Sequence, residues 1–351
     1  MDFNRRKTRK IKVGNAFLGG NSSVKIQSML NIPAEDIKGN VAQAAALEKA
    51  GCEIIRTAVP NMEAIALIEA LKKAVSIPVV ADIHFDYRLA LAAVDAGADK
   101  IRINPGNIGD DSRIKAVADK CRGGGVPIRI GVNSGSVEKE LLEKYGGPTP
   151  EALAASAIKN AKLLEKFDFN DIVISIKSSD VRNTYAANIE VAKMCEYPLH
   201  LGVTEAGTEL SSAIKSSAAL GGLLLAGIGD TVRISITGDP VREVVCAKEL
   251  LKSLGLKKGG VTFVSCPTCG RTKIDLVALA NAVEQKLCGC DKTIKVAVMG
   301  CVVNGPGEAR EADIGVAGGD GCGVIFRKGK IIKKVPEDRL LPELLSEVDK
   351  L

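Results

Sequence analysis

A regular alternation of short strands and helices most constrains the fold of this 351-residue chain. From residue 24 to about residue 253, short β-branched runs alternate with alanine-rich segments of helical period. Eight strands are predicted, at residues 24–29, 53–57, 79–83, 100–103, 128–132, 172–176, 199–203 and 232–236. Helices are predicted after them, for example at residues 41–50, 62–74, 87–96 and 151–166.

Eight strand–helix units in roughly 230 residues have the size of a (β/α)8 barrel, the TIM barrel. The alternative is an open doubly wound sheet, but no Gly-x-Gly-x-x-Gly motif opens the first helix. Pro150 at a predicted helix start, and Gly51 and Gly97 just after predicted helix ends, support the same boundaries. The sequence therefore predicts an α/β chain with a TIM barrel at residues 1–254.

The pattern changes at residues 255–260, a Gly-Leu-Lys-Lys-Gly-Gly segment that we interpret as a linker. Residues 261–351 are predicted as a strand, a helix, a strand, two further short strands and a terminal helix. Six of the ten cysteines lie after residue 265. This part of the chain is therefore predicted to be a separate, small α+β domain.

Composition excludes some classes of function. The aromatic fraction is 3% with no Trp, which argues against a stacking platform for single-stranded nucleic acid. No apolar run reaches the ~20 residues of a membrane span, and no apolar region follows the basic N-terminus. We therefore expect a cytoplasmic protein without nucleic-acid or membrane partners, whose cysteines are thiols or metal ligands. A net charge of +6 suits an anionic substrate or an acidic redox partner, although solvated surface explains it equally well.

Polar residues lie at or near the C-terminal ends of all eight predicted strands. TIM barrels carry their active sites at these ends. They are Gln27, Arg56, Asp82 with His84, Arg102 with Asn104, Arg129 with Asn133, Lys177, Glu205 and Ser235. Four cations at one barrel mouth repel each other unless an anion compensates them. Arginine offers fork geometry to phosphate oxygens and lysine a compact charge. The pattern favours a substrate with at least two negative charges; ion pairing with Asp82 and Glu205 is the alternative.

Three of these residues are candidates for acid–base work. Asp82 and Glu205 have the chemistry to orient substrate hydroxyls or to move protons. His84 is either a hydrogen-bonded structural residue or an acid or base. The sequence does not rank the three.

Two cysteine motifs mark the second domain. Residues 265–271 read Ser-Cys-Pro-Thr-Cys-Gly-Arg and contain Cys266 and Cys269, and residues 300–308 read Gly-Cys-Val-Val-Asn-Gly-Pro-Gly-Glu and contain Cys301. The second motif is too rich in Gly and Pro to be a strand or a helix. Such a loop leaves backbone N–H groups free to point at cluster sulfides, which tunes a reduction potential.

Three interpretations of the cysteines compete. A thioredoxin-type pair requires a C-x-x-C at a helix start and does not use Cys301. A structural zinc site would use four thiolates, with Cys288, Cys290 or Cys322 as the fourth. We favour an iron–sulfur cluster held by three cysteines with one unusual or open position, because such a cluster can meet a substrate.

Long motifs in consistent order then indicate a family. They are Gln-Ser-Met at 27–29, Ala-Asp-Ile-His-Phe-Asp at 81–86, Lys-Ile-Arg-Ile-Asn-Pro-Gly-Asn at 100–107, Arg-Ile-Gly-Val-Asn-Ser-Gly-Ser at 129–136, Thr-Glu-Ala-Gly at 204–207, and both cysteine motifs. With these, essentially the whole chain resembles the 4-hydroxy-3-methylbut-2-enyl diphosphate synthases of the non-mevalonate isoprenoid pathway. One departure is Leu30, where the family pattern has Thr.

The resemblance implies a reductive ring opening. The cyclic diphosphate of 2-C-methylerythritol takes up two electrons, loses water and becomes the linear allylic diphosphate. A ferredoxin or flavodoxin delivers the electrons through a [4Fe-4S] cluster. Another cluster-dependent reductase of the sulfite-reductase type, and a non-catalytic zinc-binding barrel, are the alternatives.

The resemblance also implies roles for individual residues. The cluster ligands match Cys266, Cys269, Cys301 and Glu308, and Glu308 is also expected to act as an acid. The diphosphate ligands match Arg56, Arg102, Arg129 and Lys177. Residues around the organic part match Asp82, Asn104, Asn133, Glu205 and Ser235. We also assign Asn304, within the second cysteine motif, to substrate binding.

Chain topology predicts how the two domains cooperate. In a TIM barrel each helix runs antiparallel to the preceding strand, so the eighth helix, at about 241–253, leads ~20 Å away from the mouth. The linker at 255–260 recovers at most ~20 Å when fully extended. We therefore expect a head-to-tail homodimer in which each cluster domain covers the partner's barrel, as the resemblance also implies.

Overall fold

The computed structural model describes residues 5–287, 289–290, 292–302 and 305–351. Its chain forms two compact units, Met1–Lys257 and Lys258–Leu351. The division lies within the segment 255–260 that the sequence predicts as a linker. No helix among the described residues has both the length and the apolar character needed to cross a membrane.

The first unit is built on a ring of parallel strands. Its strands are β1 (Ile11–Val13), β2 (Ala16–Leu18), β3 (Lys25–Met29), β4 (Ile54–Ala58), β5 (Val79–Asp82), β6 (Lys100–Ile103), β7 (Ile128–Asn133), β8 (Ile172–Lys177), β9 (His200–Leu201) and β10 (Thr231–Val232). Strands β3 to β10 pair in parallel in the order β8-β7-β6-β5-β4-β3-β10-β9. A parallel bridge between Ile174 and Leu199 joins β8 to β9 and nearly closes the ring. The predicted TIM barrel is confirmed.

Helices surround this barrel. They are α1 (Ile37–Ala50), α2 (Ile65–Ala74), α3 (Tyr87–Asp95), α4 (Asp111–Gly124), α5 (Lys139–Tyr145), α6 (Pro150–Glu165), α7 (Val181–Met194), α8 (Glu209–Leu225) and α9 (Pro240–Ser253). Local sequence explains where they begin and end. Thr149 caps α6 by accepting from the backbone N–H of Ala152, with Pro150 in the first turn. Gly51 ends α1 at a φ of 97°, which favours glycine.

A short antiparallel hairpin, β1–β2, closes one end of the barrel. Its side chains Ile11, Val13 and Leu18 pack with inward-facing residues near the amino ends of β4, β5 and β8. The sequence patterns did not predict this hairpin, because strands of three residues are too short for a period to register. The hairpin gives the barrel an apolar floor.

Above the floor, the barrel interior is polar. Strand alternation turns residues such as Ile101, Ile103 and Ile130 outward, where they pack against the helices. The residues between them turn inward: Gln27, Arg56, Asp82, Lys100, Arg102, Arg129, Ser175, Lys177, His200 and Thr231. TIM-barrel interiors are normally filled by Val, Ile and Leu. Charged residues in their place point to a binding function rather than to packing.

The second unit is a five-stranded mixed sheet with helices. Its elements are β11 (Val261–Ser265), α10 (Leu276–Leu287), β12 (Ile294–Met299), α11 (Gly305–Glu308), β13 (Ile314–Gly318), β14 (Cys322–Arg327), β15 (Lys330–Pro336) and α12 (Leu340–Asp349). Strands β11, β12 and β13 are parallel, and β14 and β15 continue the sheet in antiparallel fashion. Three strands follow β12 instead of the two expected, since the Gly/Ala-rich β13 lacks a strong β-branched signal.

Candidate active site

Asp82 is the central carboxylate of the barrel mouth. It ends β5 and is buried. Arg102 donates from Nη1 to Oδ1 at 3.1 Å, while Arg56 Nε and His84 Nε2 each lie 3.7 Å from Oδ2. Burial alone would raise the pKa of Asp82, but the neighbouring charges of Arg56 and Arg102 outweigh it and lower that pKa. Asp82 therefore stays ionised, and one carboxylate is shared by two of the predicted cations.

Arg129 lies deeper than the sequence suggested. It is the second residue of β7 instead of a strand-end residue, and it is 1% exposed. Its Nη1 donates to Gln27 Oε1 at 3.2 Å, whereas its Nε has no hydrogen-bond partner among the described residues. Arginine keeps its charge in proteins. No carboxylate among the described residues forms an ion pair with this buried guanidinium, although the charge of Asp82 attracts it from a longer distance.

Lys177 completes the predicted group of four. It is the last residue of β8 and 7% exposed. Burial is the main reason that its pKa lies well below the ordinary lysine value, and the positive charges of Arg56, Arg233 and Arg129 lower it further. The structure thus brings the four predicted cations into one electrostatically coupled cluster.

Two further cations belong to this interior, and the strand-end analysis missed both. Lys100 opens β6 and is fully buried. Arg233 follows β10 and is held by Glu243, with Nε 3.2 Å from Oε2 and Nη2 3.0 Å from Oε1. Residues two apart along a strand point to the same face. An inward-facing Arg102 therefore predicts an inward-facing Lys100, and Ser235 predicts the same of Arg233.

Glu243 of α9 is fully engaged. Besides Arg233, it accepts from Ser28 Oγ at 2.8 Å and from the backbone N–H of Ile236 at 3.1 Å. Across the described chain, Asp82 and Glu243 are the carboxylates paired with the interior cations, which are Arg56, Lys100, Arg102, Arg129, Lys177 and Arg233. Such an excess of buried positive charge is stable only with an anionic ligand, water or a lost proton.

Met29 lies between two of the guanidinium groups. Arg56 Nε and Nη2 lie 3.0 and 2.6 Å from its sulfur, and Arg233 Nη1 lies 3.7 Å away. A thioether is a weak acceptor. Burial and the repulsion of Arg233 and Arg102 outweigh the attraction of Asp82 and lower the pKa of Arg56 to about 10. Stronger acceptors, such as phosphate oxygens, would be preferred by both arginines.

Two glycines make room for long cationic side chains. A Cβ on Gly131 of β7 would lie 2.4 Å from Arg102 Nε. A Cβ on Gly202, just after β9, would lie 3.0 Å from Lys177 Nζ and from the carbonyl oxygen of Arg233. Arg102 and Lys177 therefore cross the barrel over positions that only glycine leaves open.

We expect Gly131→Ala to weaken diphosphate binding by about tenfold with little loss of stability, because the obstructed group is a flexible guanidinium that must leave Asp82. Gly123→Ala on α4 is the matched control, since apart from its chain neighbours and the backbone of its own helix no atom lies within 4 Å of the added Cβ. Calorimetric titration with inorganic diphosphate and denaturant unfolding would measure the two effects. Equal binding by both variants would contradict the role of Arg102.

The other predicted residues differ in how they are placed. Asn104 is buried, and its Oδ1 accepts from the backbone N–H of Gly106 at 3.2 Å. Asn133 and Ser235 are half-buried, and His84 is exposed. Glu205 is exposed with a φ of 52°, a left-handed conformation that is strained for a residue other than glycine.

The cysteine motifs follow neighbouring parallel strands of the second unit. Cys266 comes directly after β11, and Cys301 follows β12 by two residues. The backbone N–H of Gly300 lies 3.1 Å from Cys266 Sγ, and the N–H of Lys273 donates to the carbonyl of Gly300 at 3.1 Å. The two loops are thus tied together at one edge of the sheet.

Cys269 is the exposed member of the motif. A hydrogen bond from the backbone of Arg271, assisted by Thr272, lowers the pKa of its thiol. Thiolates are the ligands that iron–sulfur clusters use, so the donor chemistry of the three motif cysteines fits such a group. The described residues nevertheless contain no group of three or more Cys, His, Asp or Glu side chains arranged to hold a metal ion.

The remaining candidates of this unit are placed as follows. Glu308 ends α11 and lines a cavity of about 400 Å³ with Val264 and Lys295. Cys290 and Cys322 are half-buried free thiols. Asn304 and Cys288 lie outside the described residues.

Similarity to known proteins decides the family. The family model of the GcpE TIM-barrel domain matches residues 8–248, and that of the GcpE protein C-terminal domain matches residues 262–350. The chain belongs to the GcpE family. Relatives in this family confirm the resemblance noted from the motifs.

Two relatives span the whole chain. One is a 4-hydroxy-3-methylbut-2-en-1-yl diphosphate synthase (flavodoxin) from Clostridium perfringens, 56% identical and covering 99% of both chains. Another, with the same name, is from Caldanaerobacter subterraneus, 57% identical over 99% of this chain and 98% of its own. A dihydropteroate synthase structure from Stenotrophomonas maltophilia has a TM-score of 0.52 at 16% identity and covers 71% of this chain and 98% of its own. That likeness shows the barrel fold alone.

Proposed function

We propose that this GcpE-family chain is an oxidoreductase that opens and dehydrates 2-C-methyl-D-erythritol 2,4-cyclodiphosphate to 4-hydroxy-3-methylbut-2-enyl diphosphate. The carrying observation is the excess of cations inside a barrel closed below by an apolar floor. Relatives more than half identical over the full length bear the name of an enzyme with this product. A polyanion is the substrate class that such an interior stabilises best.

Arg56, Arg102, Arg129 and Lys177 are the proposed diphosphate ligands. Each is buried or nearly so, which strengthens its interaction with an anion relative to water. Arg233 is held by Glu243 with its Nη1 directed to Met29 and adds a fifth charge to this side of the site. Substrate oxygens would replace the weak thioether contact of Arg56.

The organic part of the substrate is proposed to lie among Asp82, Asn104, Asn133, Glu205 and Ser235. Asp82 is ionised and accepts from Arg102, so its role is to hold the guanidinium groups and accept from substrate hydroxyls. His84 Nε2 lies 3.7 Å from Asp82 Oδ2 at the exposed rim of the site.

We expect Arg129→Met to weaken binding of the cyclic diphosphate by about tenfold to a hundredfold, because a charge-assisted hydrogen bond contributes about 1.5–3 kcal/mol. Titration calorimetry measures this directly, with Arg113→Met, a half-exposed residue, as the control. Binding as tight as in the unaltered protein would remove Arg129 from the site.

Cys266, Cys269 and Cys301 are proposed to hold a [4Fe-4S] cluster, with Glu308 as the fourth ligand. When bound, such a cluster supplies electrons one at a time to the substrate. A carboxylate is a harder ligand than thiolate and holds cluster iron less tightly. Glu308 would therefore be a weak ligand, and once its carboxyl group has taken up a proton from solvent it could donate that proton to the departing hydroxyl.

The proposed electron donor is a flavodoxin, with a ferredoxin as the alternative. Relatives carry flavodoxin in their names. The nine described cysteines are all free thiols, which suits a reducing compartment such as the cytoplasm.

The proposed assembly is a head-to-tail homodimer. Helix α9 has 14 residues and runs from the mouth of its barrel towards the other end, so the chain leaves the barrel away from the candidate site. Residues 255–260, between α9 and β11, span at most about 20 Å when fully extended, and they would also have to pass around the barrel wall to reach that mouth. A two-fold dimer serves both barrels with one arrangement.

Mixing two inactive variants tests this assembly. Arg129→Ala disables a barrel and Cys301→Ser a cysteine site, so mixed dimers with shared sites contain one intact pair. We expect up to about one-quarter of normal activity after subunit exchange of equal amounts. The control mixes each variant with a copy of itself, and background activity despite proven exchange contradicts the shared site.

The function itself is tested by anaerobic turnover. The purified chain, reduced flavodoxin and the cyclic diphosphate should yield the linear allylic diphosphate, identified by mass spectrometry. Formation of no such product by an iron-loaded sample, with dithionite and viologen as a second reductant, would overturn the proposal.

A further inference from the structure

Beneath the arginines lies a second interior layer that the proposed mechanism does not use. Lys100 and His200 are both 0% exposed. His200 Nδ1 lies 2.8 Å from Thr231 Oγ1. Lys100 Nζ, His200 Nε2, Gln27 Nε2 and Arg129 Nε have no hydrogen-bond partner within the described ranges. Several unpartnered polar atoms in one buried layer require an explanation.

Lys100 faces this layer because its strand alternates. Ile101 and Ile103 pack outward against the helices, which turns Lys100 and Arg102 inward. Lys100 lies two residues before Arg102 and therefore about 7 Å deeper along the same strand. In the sheet it pairs with Val80, one of the residues that rest on the hairpin floor.

The strands around Lys100 contribute cations, neutral groups and carboxylates that are already paired with other cations. The charged and titratable groups are Arg56 of β4, Asp82 of β5, Arg102 of β6, Arg129 of β7, Lys177 of β8, His200 of β9 and Arg233 after β10. At the lower rim, Glu53, Asp99 and Asp230 are paired with Lys25, Lys72 and Arg5 respectively. The hairpin contributes only Ile11, Val13 and Leu18 to the floor. No carboxylate among the described residues forms an ion pair with Lys100.

The side chains differ in how they can respond. Arginine does not give up its proton in a protein, whereas a buried lysine does so readily. Burial, and then the charges of Arg129 and Arg56, place the pKa of Lys100 well below the ordinary lysine value. Of these two neighbouring cations, the amine of Lys100 is therefore the one that gives up its proton more easily.

We propose that Lys100 is an additional residue of the anion site, whose amine takes up a proton from solvent when the cyclic diphosphate enters the barrel. The inference rests on the proposed function, because that substrate supplies the negative charge. At the effective dielectric constant of a protein, a dianion about 7 Å away raises the proton affinity of an amine more than tenfold. The cation is thus created only when the anion is present, which spares the free protein one buried charge.

Proton uptake by Lys100 makes binding of the cyclic diphosphate weaker as pH rises. Binding that takes up a proton is strongest below the pKa of Lys100 in the free protein. It weakens by up to tenfold per pH unit as pH rises from that value to the higher pKa of the complex. The cyclic diphosphate contributes no titration of its own, since each phosphorus carries one strongly acidic oxygen.

Calorimetry of the full chain with the cyclic diphosphate, without reductant, tests this. Titrations in buffers of different ionisation enthalpy report the number of protons taken up. We expect uptake of about one proton or more at a pH between the pKa values of Lys100 in the free protein and in the complex, with Lys177 contributing its own share. Lys100→Met should lower the uptake by about one proton and the affinity by about tenfold, while Lys115→Met on the exposed face of α4 changes neither.

Each possible result of these titrations either supports or overturns the proposed role of Lys100. Uptake below about 0.2 proton at every pH of a series from about 6 to 10 in the unaltered protein overturns the inference without any variant. Uptake that is unchanged in a folded Lys100→Met variant assigns the proton to another group and also overturns it. Lys100→Arg, which carries its charge at every pH, should bind with the same reduced uptake as Lys100→Met. Failure of the unaltered, iron-loaded chain to bind the cyclic diphosphate contradicts the proposed function itself, and the inference falls with it.

Discussion

Replacing Cys301 by Ser should abolish both the broad visible absorbance of the anaerobically purified protein and its turnover. A serine hydroxyl is a harder and far less acidic donor than a thiol, so it does not replace a thiolate on cluster iron. Cys301 lies two residues after β12 and directly follows Gly300, whose backbone N–H lies 3.1 Å from Cys266 Sγ. We expect iron and sulfide contents near zero.

Cys195→Ser is the matched control for this variant. Cys195 is a half-buried free thiol of the barrel unit whose Sγ lies 3.4 Å from the carbonyl of Val191. The control should keep its iron, sulfide and spectrum. Full iron and sulfide in Cys301→Ser would show that the cluster assignment is wrong, and Cys290 or Cys322 would then be the thiols to examine.

Glu308→Gln should keep an iron–sulfur spectrum and lose about a hundredfold to ten-thousandfold in turnover, since general acid catalysis contributes about 10²–10⁴. The amide is nearly isosteric with the carboxylate but carries no ionisable proton. The loss is expected in kcat, while calorimetric binding of the cyclic diphosphate changes little.

Glu311→Gln provides the comparison, because Glu311 lines the same cavity and lies 3.7 Å from Lys295. It should turn over normally. A Glu308→Gln variant as fast as the unaltered enzyme would remove Glu308 from the chemistry.

The sequence predicted the barrel because its signal is long and periodic. Strand β6 matches its predicted bounds, and most other barrel strands differ by one residue. The two last strands are shorter than expected: β9 ends at Leu201 and β10 at Val232, although the β-branched pattern continues. At these points the chain turns away from the ladder while its apolar residues Val203 and Ile234 remain buried. Hydrophobic periodicity reports which residues are buried. In these two segments, buried residues therefore continue along the chain beyond the residues that pair in the sheet.

The candidate site was only partly visible in the sequence. Strand ends identify Asp82 and Lys177, since position along a strand decides which residues reach the mouth. That rule does not give the distance of a residue from the barrel mouth. Lys100 and His200 are therefore not identified from the sequence, and Arg129 lies deeper in the barrel than predicted. Ion-pair partners such as Glu243 on α9 depend on tertiary packing, which sequence spacing does not encode.

The most direct test of the central claim is a crystal structure of the full chain with the cyclic diphosphate bound. We expect the phosphate oxygens inside the barrel mouth, within hydrogen-bond distance of Arg56, Arg102, Arg129 and Lys177, with the thioether of Met29 displaced from Arg56. A cyclic diphosphate bound elsewhere, with Arg129 still paired only with Gln27, would contradict the account.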